Sequence, residues 1–580
     1  MPSLTRTFGA IVVLGAAAFL SACGDDAAGP VVPSAPLGVS VTATGASTIR
    51  IAFSGTLGVT SYLIERAEGA ASAFALASTV PAPAVAGPVT YEDLGLKVQT
   101  LYRYRVSAVQ GSQMSAPSPE SSTTTLAFGS FAKSITADIT INTTLYADTT
   151  YTLKAFVHVA NGATLTILPG TTIKGDEQSA LFVLRGAKIN AVGRADAPIV
   201  MTSSKPAGSR RAGDWGGLVI IGNATINKSG ANPEVEGTGT DGTTATSGKN
   251  YTLTYGGGTT DTDDSGELKY VRVEFAGFAP RANQELNSFT FLAVGSGTRL
   301  SYLQALYGLD DAFEWFGGAT TATNLVSYET GDDHFDMSEG FRGRLQYVIV
   351  LQSQTVNINP LPGQNVATDP QGMENDGCDG AGCNNGFDSN PLTTPIVANF
   401  TLVGTGDINV GAGSSGGVGM VLRRGTGGYY VNGVLSRWPR AAISVRDQAT
   451  YNRAGAVASP TLATADLALK NLLLTESTLA FEGGTGRFAF DLAGNAITAT
   501  SGATAALFTG YPVTISDVTT AAAFDWTPTA TSSLASGGLG AFTGKLQTAA
   551  GSVVAATTYV GAAQPGGTKW WQGWTMYARK

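Results

Sequence analysis

The chain of 580 residues is long enough for several domains, yet only 13% of its residues are charged and 74 are glycine. Its formal net charge of −8 and pI near 5 argue against a nucleic-acid partner, because phosphate binding needs clustered Lys and Arg. Gly, Asn and Asp turn signals recur between short apolar runs, which favours many short strands. The composition therefore predicts an all-β protein.

Residues 1–22 have the pattern of a secretory signal, since Arg6 precedes a short apolar run and small residues. The run is too short to span a ~30 Å hydrocarbon core as a helix. LSAC at 20–23 resembles the lipobox of bacterial lipoproteins, which implies that Cys23 is acylated and becomes the first mature residue. The alternative is an ordinary signal cut elsewhere, with Cys23 incidental. Residues 23–33, rich in Pro, Gly and Asp, predict a flexible tether.

The lipobox resemblance also implies a location. A lipidated Cys23 would hold the protein to a membrane, and Gly24 rather than Asp at the next position indicates the outer membrane. We therefore expect an outer-membrane lipoprotein exposed at the cell surface.

Residues 34–126 contain alternating strand patterns in VSVTA, TIRIAFSG, SYLIERA, VTYEDL and YRYRVSAV. Their spacing predicts a seven-strand sandwich. The segment resembles a fibronectin type III domain in SYLIERA, VTYEDLG and LYRYRVSAVQGSQMSAPS, although Phe53 stands where such domains usually carry a core Trp. The resemblance implies a spacer or adhesive module.

Residues 127–580 show internal repeats. GATLTILPG returns as GAKINAVGR after 24 residues, and DDAFEWFGG returns as DDHFDMSEG after 22. Such periods predict a solenoid in which stacked coils bury the apolar faces, here a right-handed parallel β-helix of the pectin-lyase-like kind. Further rungs are predicted at LKYVRVEFAG, RLSYLQALYG, RLQYVIVLQ, VANFTLVGTG and LALKNLLLTES, and inserts 227–266 and 355–395 are predicted loops.

Several motifs occur in order along this region: GDWGGLVIIGNATIN, SGELKYVRVEFAG, DDAFEWFGG, GDDHFD, VLRRGTGGYYVNGVLS and KWWQGWTMYARK. In these motifs the chain resembles a family of bacterial surface β-helix proteins without an assigned activity. The resemblance covers roughly residues 130–580 and implies the fold and a cell-surface setting. It implies no catalytic residue.

The two copies DDAFEWFGG and DDHFDMSEG lie in a window, 300–341, with eight carboxylates and neither Lys nor Arg. Alternate strand residues share a face, and neighbouring rungs lie ~4.8 Å apart. Phe313 should therefore stack on Phe335 in the core, while the acids of one copy stack on those of the other outside. The residues predicted for this outward face, as candidates to bind a ligand or a cation, are Asp310, Glu314, Asp332, His334 and Asp336.

Stacked carboxylates at this spacing repel by roughly 1 kcal/mol in water and by about 3–4 kcal/mol at a lower effective dielectric. Four ways to neutralise them are open: solvent, a bound cation, Arg342 and Arg344 from the next rung, or a protonated His334. His334 among acids should have a raised pKa. A Ca²⁺ ion, which needs several oxygen ligands, is expected at Asp310, Asp332 and Asp336 if a cation binds.

Catalysis is a further alternative for this region. GDD at 331–333 resembles the aspartate pair of polygalacturonase-type hydrolases, whose mechanism needs two carboxyls ~6.5–9.5 Å apart. The Gly-His-Gly and Arg-x-Lys segments that complete those sites have no counterpart in this sequence. Chemistry like that of pectate lyases would pair acid-bound Ca²⁺ with a basic residue, for which Arg342 is the nearest candidate.

A second acidic segment, 369–391, reads as a loop around Cys378 and Cys383. In an exported protein this pair favours a small disulfide loop, and with only two His in the chain a structural zinc site is not expected. The loop is either a plain stapled turn or a Ca²⁺ site. Its further ligand candidates are Asp376, Asp379 and Asp388.

Trp570, Trp571 and Trp574 near the end of the chain are predicted to cap the last rung. Three functions remain open for the whole protein: binding or adhesion through the β-helix with a polysaccharide ligand, cleavage of a polysaccharide as a tethered lyase or hydrolase, or a structural role in the envelope.

Overall fold

The structure is a computed structural model that describes residues 32–85, 87–228, 230, 232–238, 253–280, 284–356, 369–407, 416–512 and 514–580. The predicted signal segment, Cys23 and nearly all of the predicted tether lie outside the described residues. Within the described part of the chain, no helix has the length and apolar content to cross a bilayer.

The chain divides into two compact units, of which the smaller is a β-sandwich. Its strands are β1 (Leu37–Ala43), β2 (Thr48–Ser54), β3 (Ser61–Glu68), β4 (Ala75–Pro81), β5 (Pro88–Leu94), β6 (Leu101–Gln110), β7 (Gln113–Met114) and β8 (Ser121–Thr124). One sheet has the order β1-β2-β5, and the other has the order β4-β3-β6-β7 with β8 also paired to β6.

The sandwich core follows the alternation of its strands. Ile51 and Phe53 of β2 and Tyr62 and Ile64 of β3 are buried on every second position. The ring of Phe53 packs edge-on against Tyr62 with centroids 4.8 Å apart, so phenylalanine fills a place between the sheets. The predicted fibronectin type III-like sandwich is therefore present, and the exact boundaries at 34 and 126 stay a prediction.

The larger unit is a parallel β-helix. Its first strands are β9 (Phe131–Ile135), β10 (Thr143–Leu145), β11 (Thr149–Leu153), β12 (Phe156–Val159), β13 (Thr164–Ile167), β14 (Thr172–Gly175), β15 (Ala180–Val183), β16 (Lys188–Val192), β17 (Ile199–Ser203) and β18 (Leu218–Ile221). They begin a fifteen-stranded and a ten-stranded sheet, both of which run the length of the unit.

Regular coils follow, in which a strand of the fifteen-stranded sheet alternates with one of the ten-stranded sheet. These strands are β19 (Gly266–Glu274), β20 (Phe289–Leu292), β21 (Arg299–Leu306), β22 (Phe313–Phe316), β23 (Thr321–Tyr328), β24 (Phe335–Ser338), β25 (Arg344–Leu351), β26 (Glu374–Asp376), β27 (Ile396–Val403), β28 (Val418–Arg423), β29 (Gly428–Ser436), β30 (Ala441–Arg446), β31 (Leu467–Thr475), β32 (Arg487–Phe488) and β33 (Thr498–Thr500). All five further rungs predicted from the sequence are confirmed, as β19, β21, β25, β27 and β31.

The long strands of successive coils stay in register through a shared interruption. The paired positions Tyr302, Asn324, Tyr347 and Asn399 each have a left-handed φ, between 54° and 64°. The ladder of paired residues skips this position in every pair from β21 to β27. Asparagine tolerates this backbone conformation better than most residues, which explains its recurrence there.

Aromatic side chains stack inside the coils. The rings of Phe289, Phe313 and Phe335 lie one above another, with centroids 4.9 and 5.0 Å apart. Phe291 stacks on Trp315 in the same way at 5.3 Å. These residues belong to one continuous buried core that fills the interior of the β-helix.

The C-terminal segment covers the outer face of the fifteen-stranded sheet. Its elements are β34 (Phe508–Gly510), β35 (Asp525–Pro528), α2 (Thr504–Leu507) and α3 (Gly544–Ala550), whereas α1 (Gln448–Arg453) lies between β30 and β31. Short 3₁₀ turns occur at Gly386–Asp388, Ala493–Asn495, Ala521–Ala523 and Ser533–Ala535.

The prediction that the C-terminal tryptophans cap the last rung is wrong. Trp574 packs edge-on against Tyr270 of β19 and Tyr302 of β21, with centroids 5.6 and 6.2 Å apart. Trp571 joins the same outer cluster as Tyr328 of β23. The outward side chains of these strands are themselves apolar, so the segment buries a second hydrophobic face rather than an open end.

Candidate functional site

Three carboxylates stand on consecutive rungs of the ten-stranded sheet. Glu314 of β22 pairs in parallel register with Asp336 of β24, and Asp336 pairs with Glu374 of β26. The flanking residues Phe313 and Phe335 point into the core, so alternation directs the acids to the outer face. We call Glu314, Asp336 and Glu374 the carboxylate stack. The predicted stacking of Phe313 on Phe335 and of Glu314 on Asp336 is confirmed.

The corner before each strand adds further acids to the stack. Oxygens within 4.8 Å of one another join three groups of three residues: Asp310, Asp311 and Asp332; Asp311, Glu314 and Asp336; and Asp333, Asp336 and Glu374. The backbone N–H of Asp333 donates to Asp311 Oδ1 at 2.8 Å, which ties the two corners together. Asp310 and Asp332 lie near each other as predicted, but Asp336 belongs to the other two groups.

The acids are not fully solvated, which was one of the four alternatives for their neutralisation. Asp311, Glu314, Asp333 and Glu374 keep only 4–7% of their surface exposed, while Asp310, Asp332 and Asp336 are half-buried. Asn287, in the corner before β20, donates a hydrogen bond to Glu314. The strand pattern alone gives no sign of this burial.

Burial dominates the ionisation of the stack. It raises the pKa of Asp310, Asp332 and Asp336 well above the usual range, and neighbouring carboxylates raise it further. Burial and then Asp376 raise the pKa of Glu374 to about 7, although Arg423 opposes the shift. A group of buried acids with such pKa values needs protons or a cation to neutralise it.

Arginines border the stack on one side, but they are not those expected from the sequence. Arg423 of β28 pairs with Glu374 and, at 2.7 Å, with Asp376. Arg342 instead pairs with Asp261 at 3.0 Å, and Arg344 donates to the carbonyl of Ala549 at 2.5 Å. Of the four alternatives, the one in which Arg342 and Arg344 neutralise the acids is therefore excluded.

His334 is also misplaced by the sequence prediction. Its side chain is fully buried, and Nδ1 lies 2.6 Å from the hydroxyl of Ser327 on β23. Burial lowers the pKa of His334 to about 3, opposite to the predicted rise. β24 begins at Phe335, so strict alternation does not extend to His334 in the preceding corner. The neutral imidazole cannot offset the charge of the acids.

The loop after β26 separates the remaining candidates. Cys378 and Cys383 form a disulfide with an S–S distance of 1.97 Å. Asp376 lies beside the stack, and Asp379 pairs with Arg424 at 3.1 Å. Arg424 also pairs with Asp376, so these two acids share an arginine, whereas Asp388 pairs with Arg453 at 2.6 Å. This arrangement favours the stapled turn over a cation site in the loop.

Two adjoining cavities share lining residues and form one cleft, and the smaller of them lies over the stack. The smaller, of about 280 Å³, is lined by the whole carboxylate stack together with Asp376, Asp379, Arg423 and Arg424. The larger, of about 540 Å³, is lined by Pro233, Glu234, Glu236, Tyr255 and Gln284. Lys228, Phe316 and Glu339 line both. We call the smaller cavity the acidic compartment and the larger cavity the aromatic compartment.

Sequence reasoning missed several residues of this cleft. Asp311, Asp333 and Glu374 are not among the site residues predicted from the sequence. The insert 355–395 sets Glu374 38 residues after Asp336, which hides it from a 22-residue repeat. Its signal is the short alternation Met373, Glu374, Asn375, in which the acid lies between two buried inward residues.

The fold and the cleft define a class: a parallel β-helix protein with a polar cleft on the outer face of one sheet. The chain belongs to the family described as pectate-lyase like beta helix domain, which matches residues 137–519. That family fits a polysaccharide-related role. No curated protein matches the chain.

Solved structures similar to the chain carry fibronectin type III domains. The crystal structure of FN3tt is 23% identical over 17% of this chain and 98% of its own, with a TM-score of 0.15. An Fn3-like protein from Clostridium thermocellum is 24% identical over 16% of this chain and 92% of its own, with a TM-score of 0.14. The fn3 domain of human contactin 1 is 19% identical over 18% of this chain and 94% of its own, with a TM-score of 0.15. The fold of the sandwich rests on its own strand pairing.

Proposed function

We propose that this protein binds an acidic polysaccharide in the cleft, through Ca²⁺ held by the carboxylate stack. The observation that carries the proposal is the stacking of Glu314, Asp336 and Glu374 on three consecutive rungs, where Asp336 lies within 4.8 Å of Glu314 on one side and of Glu374 on the other. Such a group is stable only when its charge is neutralised. In an open cleft, a divalent cation does this and leaves coordination positions for a ligand.

The donor set fits a hard cation. Every member of the three groups is a carboxylate, and Ca²⁺ takes six to eight oxygen ligands in flexible geometry. Asp336, which belongs to two of the groups, is the residue through which one ion would share ligands with both corners. Ca²⁺ would supply positive charge at the floor of the cleft, where an acidic sugar could complete the coordination.

The basic residues of the acidic compartment suit the same ligand. Arg423, Arg424 and Lys228 line it together with the stack. Arginine forms paired hydrogen bonds to carboxylates, so it can hold a uronate group beside the ion. Without a cation the acids would repel such a sugar, and binding should therefore depend on Ca²⁺.

Binding of polygalacturonate to the purified full chain tests this proposal. We expect retention on immobilised polygalacturonate with Ca²⁺ and its loss with EDTA. Asp336→Asn should weaken retention at least tenfold, whereas Asp388→Asn, a matched change at a residue paired with Arg453 outside the cleft, should not. Equal retention of wild type with and without Ca²⁺, or by both variants, contradicts the proposal.

Cleavage of the bound polysaccharide is the second candidate. It is favoured by Glu374, which pairs with Arg423 in the cleft. Its pKa of about 7 leaves the carboxyl partly protonated at neutral pH. A proton donor at this place suits a general acid. New reducing ends or unsaturated uronates that appear with wild type and not with Glu374→Gln would show an enzyme, and retention of uncut polymer would show a binder.

The setting of the cleft follows from the N-terminal motif. We infer a lipid anchor at Cys23 in the outer membrane, with the β-helix displayed at the cell surface. The support is the lipobox-like LSAC at 20–23 after a short apolar run. Cys23→Ala should move the protein from the membrane fraction to the soluble fraction. A variant that still sediments with membranes excludes this anchor.

A further inference from the structure

The aromatic compartment is a feature of the cleft that the proposed cation does not use. Its volume of about 540 Å³ is nearly twice that of the acidic compartment. Pockets that enclose small molecules span ~300–1,000 Å³, so the compartment is large enough for a ligand group. Because Lys228, Phe316 and Glu339 line both cavities, a ligand in one compartment can extend directly into the other.

An aromatic pair forms one wall of this compartment. The rings of Phe316 and Tyr255 have centroids 5.6 Å apart and planes tilted by 47°. Phe316 lies two residues after Glu314 on β22, so both side chains point outward from the same strand. Tyr255 is buried, whereas Phe316 keeps partial exposure to the cleft. The exposed ring therefore stands next to the carboxylate stack.

The polar lining of the aromatic compartment has fewer carboxylates than that of the acidic compartment. The Tyr255 hydroxyl donates to Glu339 Oε2 at 2.9 Å, and Lys228 Nζ lies 2.5 Å from Oε1. Both oxygens of Glu339 are thus engaged by a donor or a cation. Burial raises the pKa of Glu236 to about 8, which leaves it largely protonated at neutral pH. Glu234 and Gln284 complete the polar lining.

A partly exposed ring beside hydrogen-bonding side chains matches the chemistry of a sugar residue. A pyranose has an apolar face of C–H groups and a rim of hydroxyls, so it can stack on an aromatic ring while its rim forms hydrogen bonds. A metal ion alone uses neither feature.

We propose that the aromatic compartment is a sugar subsite in which a pyranose stacks on Phe316, next to the residue held at the carboxylate stack. This inference rests on the proposed function and adds to it that the ligand spans at least two linked sugars. Affinity then depends on the length of the oligosaccharide, and Phe316 is the residue that contacts the second sugar.

Titration calorimetry with galacturonic acid and its dimer and trimer, in excess Ca²⁺, tests this subsite on the full chain. For wild type we expect the dimer to bind more tightly than the monomer. Phe316→Ala should bind the monomer as wild type does, but its affinity for the dimer should fall by roughly threefold to tenfold, so that the gain is lost. Phe316→Tyr keeps the ring and should keep the gain. Phe131→Ala, at an exposed phenylalanine of β9, is the matched control.

The outcomes separate the two proposals. If wild type and Phe316→Ala show the same gain from monomer to dimer, the subsite is excluded while Ca²⁺-dependent binding stands. Phe316→Ala could also lose monomer binding because it fails to fold, and Phe316→Tyr then decides. If Phe316→Tyr binds the monomer as wild type does but shows no gain for the dimer, the subsite is excluded as well. If wild type binds none of the three sugars in Ca²⁺, both the subsite and the proposed function for this ligand class are overturned.

Discussion

The ring of Phe313 stacks on the ring of Phe335 in the core of the β-helix, with centroids 5.0 Å apart and planes 15° from parallel. The two residues are direct partners in the parallel sheet, and the same register sets Glu314 beside Asp336 on the outer face. A shift by one residue would bury the acids and expose the rings. The packing of the core thus holds the carboxylates together despite their mutual repulsion.

Phe335→Ala should destabilise the β-helix by about 3–5 kcal/mol, because it removes a fully buried ring from a stacked column and leaves a cavity. Chemical denaturation followed by tryptophan fluorescence measures the change. Phe131→Ala, which alters a ring that is 57% exposed, should cost far less. Equal effects of the two substitutions would contradict the assignment of Phe335 to the core.

If Ca²⁺ binds the folded carboxylate stack as proposed, it should raise the melting temperature of wild type by linkage, since the unfolded chain has no such site. The expected gain is about 2.7 kcal/mol when free Ca²⁺ is a hundred times its Kd. Asp336→Asn should abolish this gain and leave the protein in EDTA as stable as wild type or slightly more so, because a buried repulsion is removed. A Ca²⁺ gain that survives in Asp336→Asn would place the ion elsewhere.

The stability in EDTA should fall as the pH rises from about 5 to about 8. Burial raises the pKa of Glu374 from 4.5 to about 7 in the folded state, so the folded protein binds this proton more tightly. The resulting stabilisation is complete below about pH 4.5 and is lost as the pH rises through about 7. Melting temperatures across this range check the slope.

Glu374→Gln is the matched variant for this pH series. It should make the slope shallower, while the contribution of His334 is unchanged. Burial lowers the pKa of His334 from 6.5 to about 3, so below about pH 6.5 its contribution opposes that of Glu374. A wild-type melting temperature that rises between about pH 5 and 8 in EDTA would show that the buried acids do not carry raised pKa values.

Trp574→Ala should loosen the C-terminal segment from the fifteen-stranded sheet at a cost of about 3–5 kcal/mol, because the indole is 1% exposed. Hydrogen exchange locates the effect. We expect faster exchange in Gly266–Glu274 and Arg299–Leu306, whose Tyr270 and Tyr302 contact the indole. Faster exchange confined to Leu467–Thr475 would instead support a cap on the last rungs.

The repeat and the alternation within it were readable from the sequence. A copy spaced by 22 residues implies one coil, and the alternation of Phe313 and Trp315 with Glu314 assigns an inward and an outward face. Both depend on local geometry, which neighbouring residues in the chain determine. For the same reason the sandwich was predictable from its alternating strands.

The solvent exposure of the outward face was not readable. Glu314 is buried and accepts a hydrogen bond from Asn287, a contact that joins residues 27 positions apart through the stacking of coils. His334 turns inward to Ser327 because a corner, rather than a strand, sets its direction. Alternation holds only within a strand, so it misplaces residues at corners.

The sequence by itself therefore determined the two folds, the rungs and the register that stacks Phe313 on Phe335 and Glu314 on Asp336, since these follow from periodicity along the chain. Only the tertiary structure decided which arginines meet the acids, how deeply the acids are buried and where the C-terminal tryptophans pack. The pairing of Arg423 with Glu374 spans an insert and a whole coil. Contacts of this kind depend on the path of loops in space, and no local pattern encodes that path.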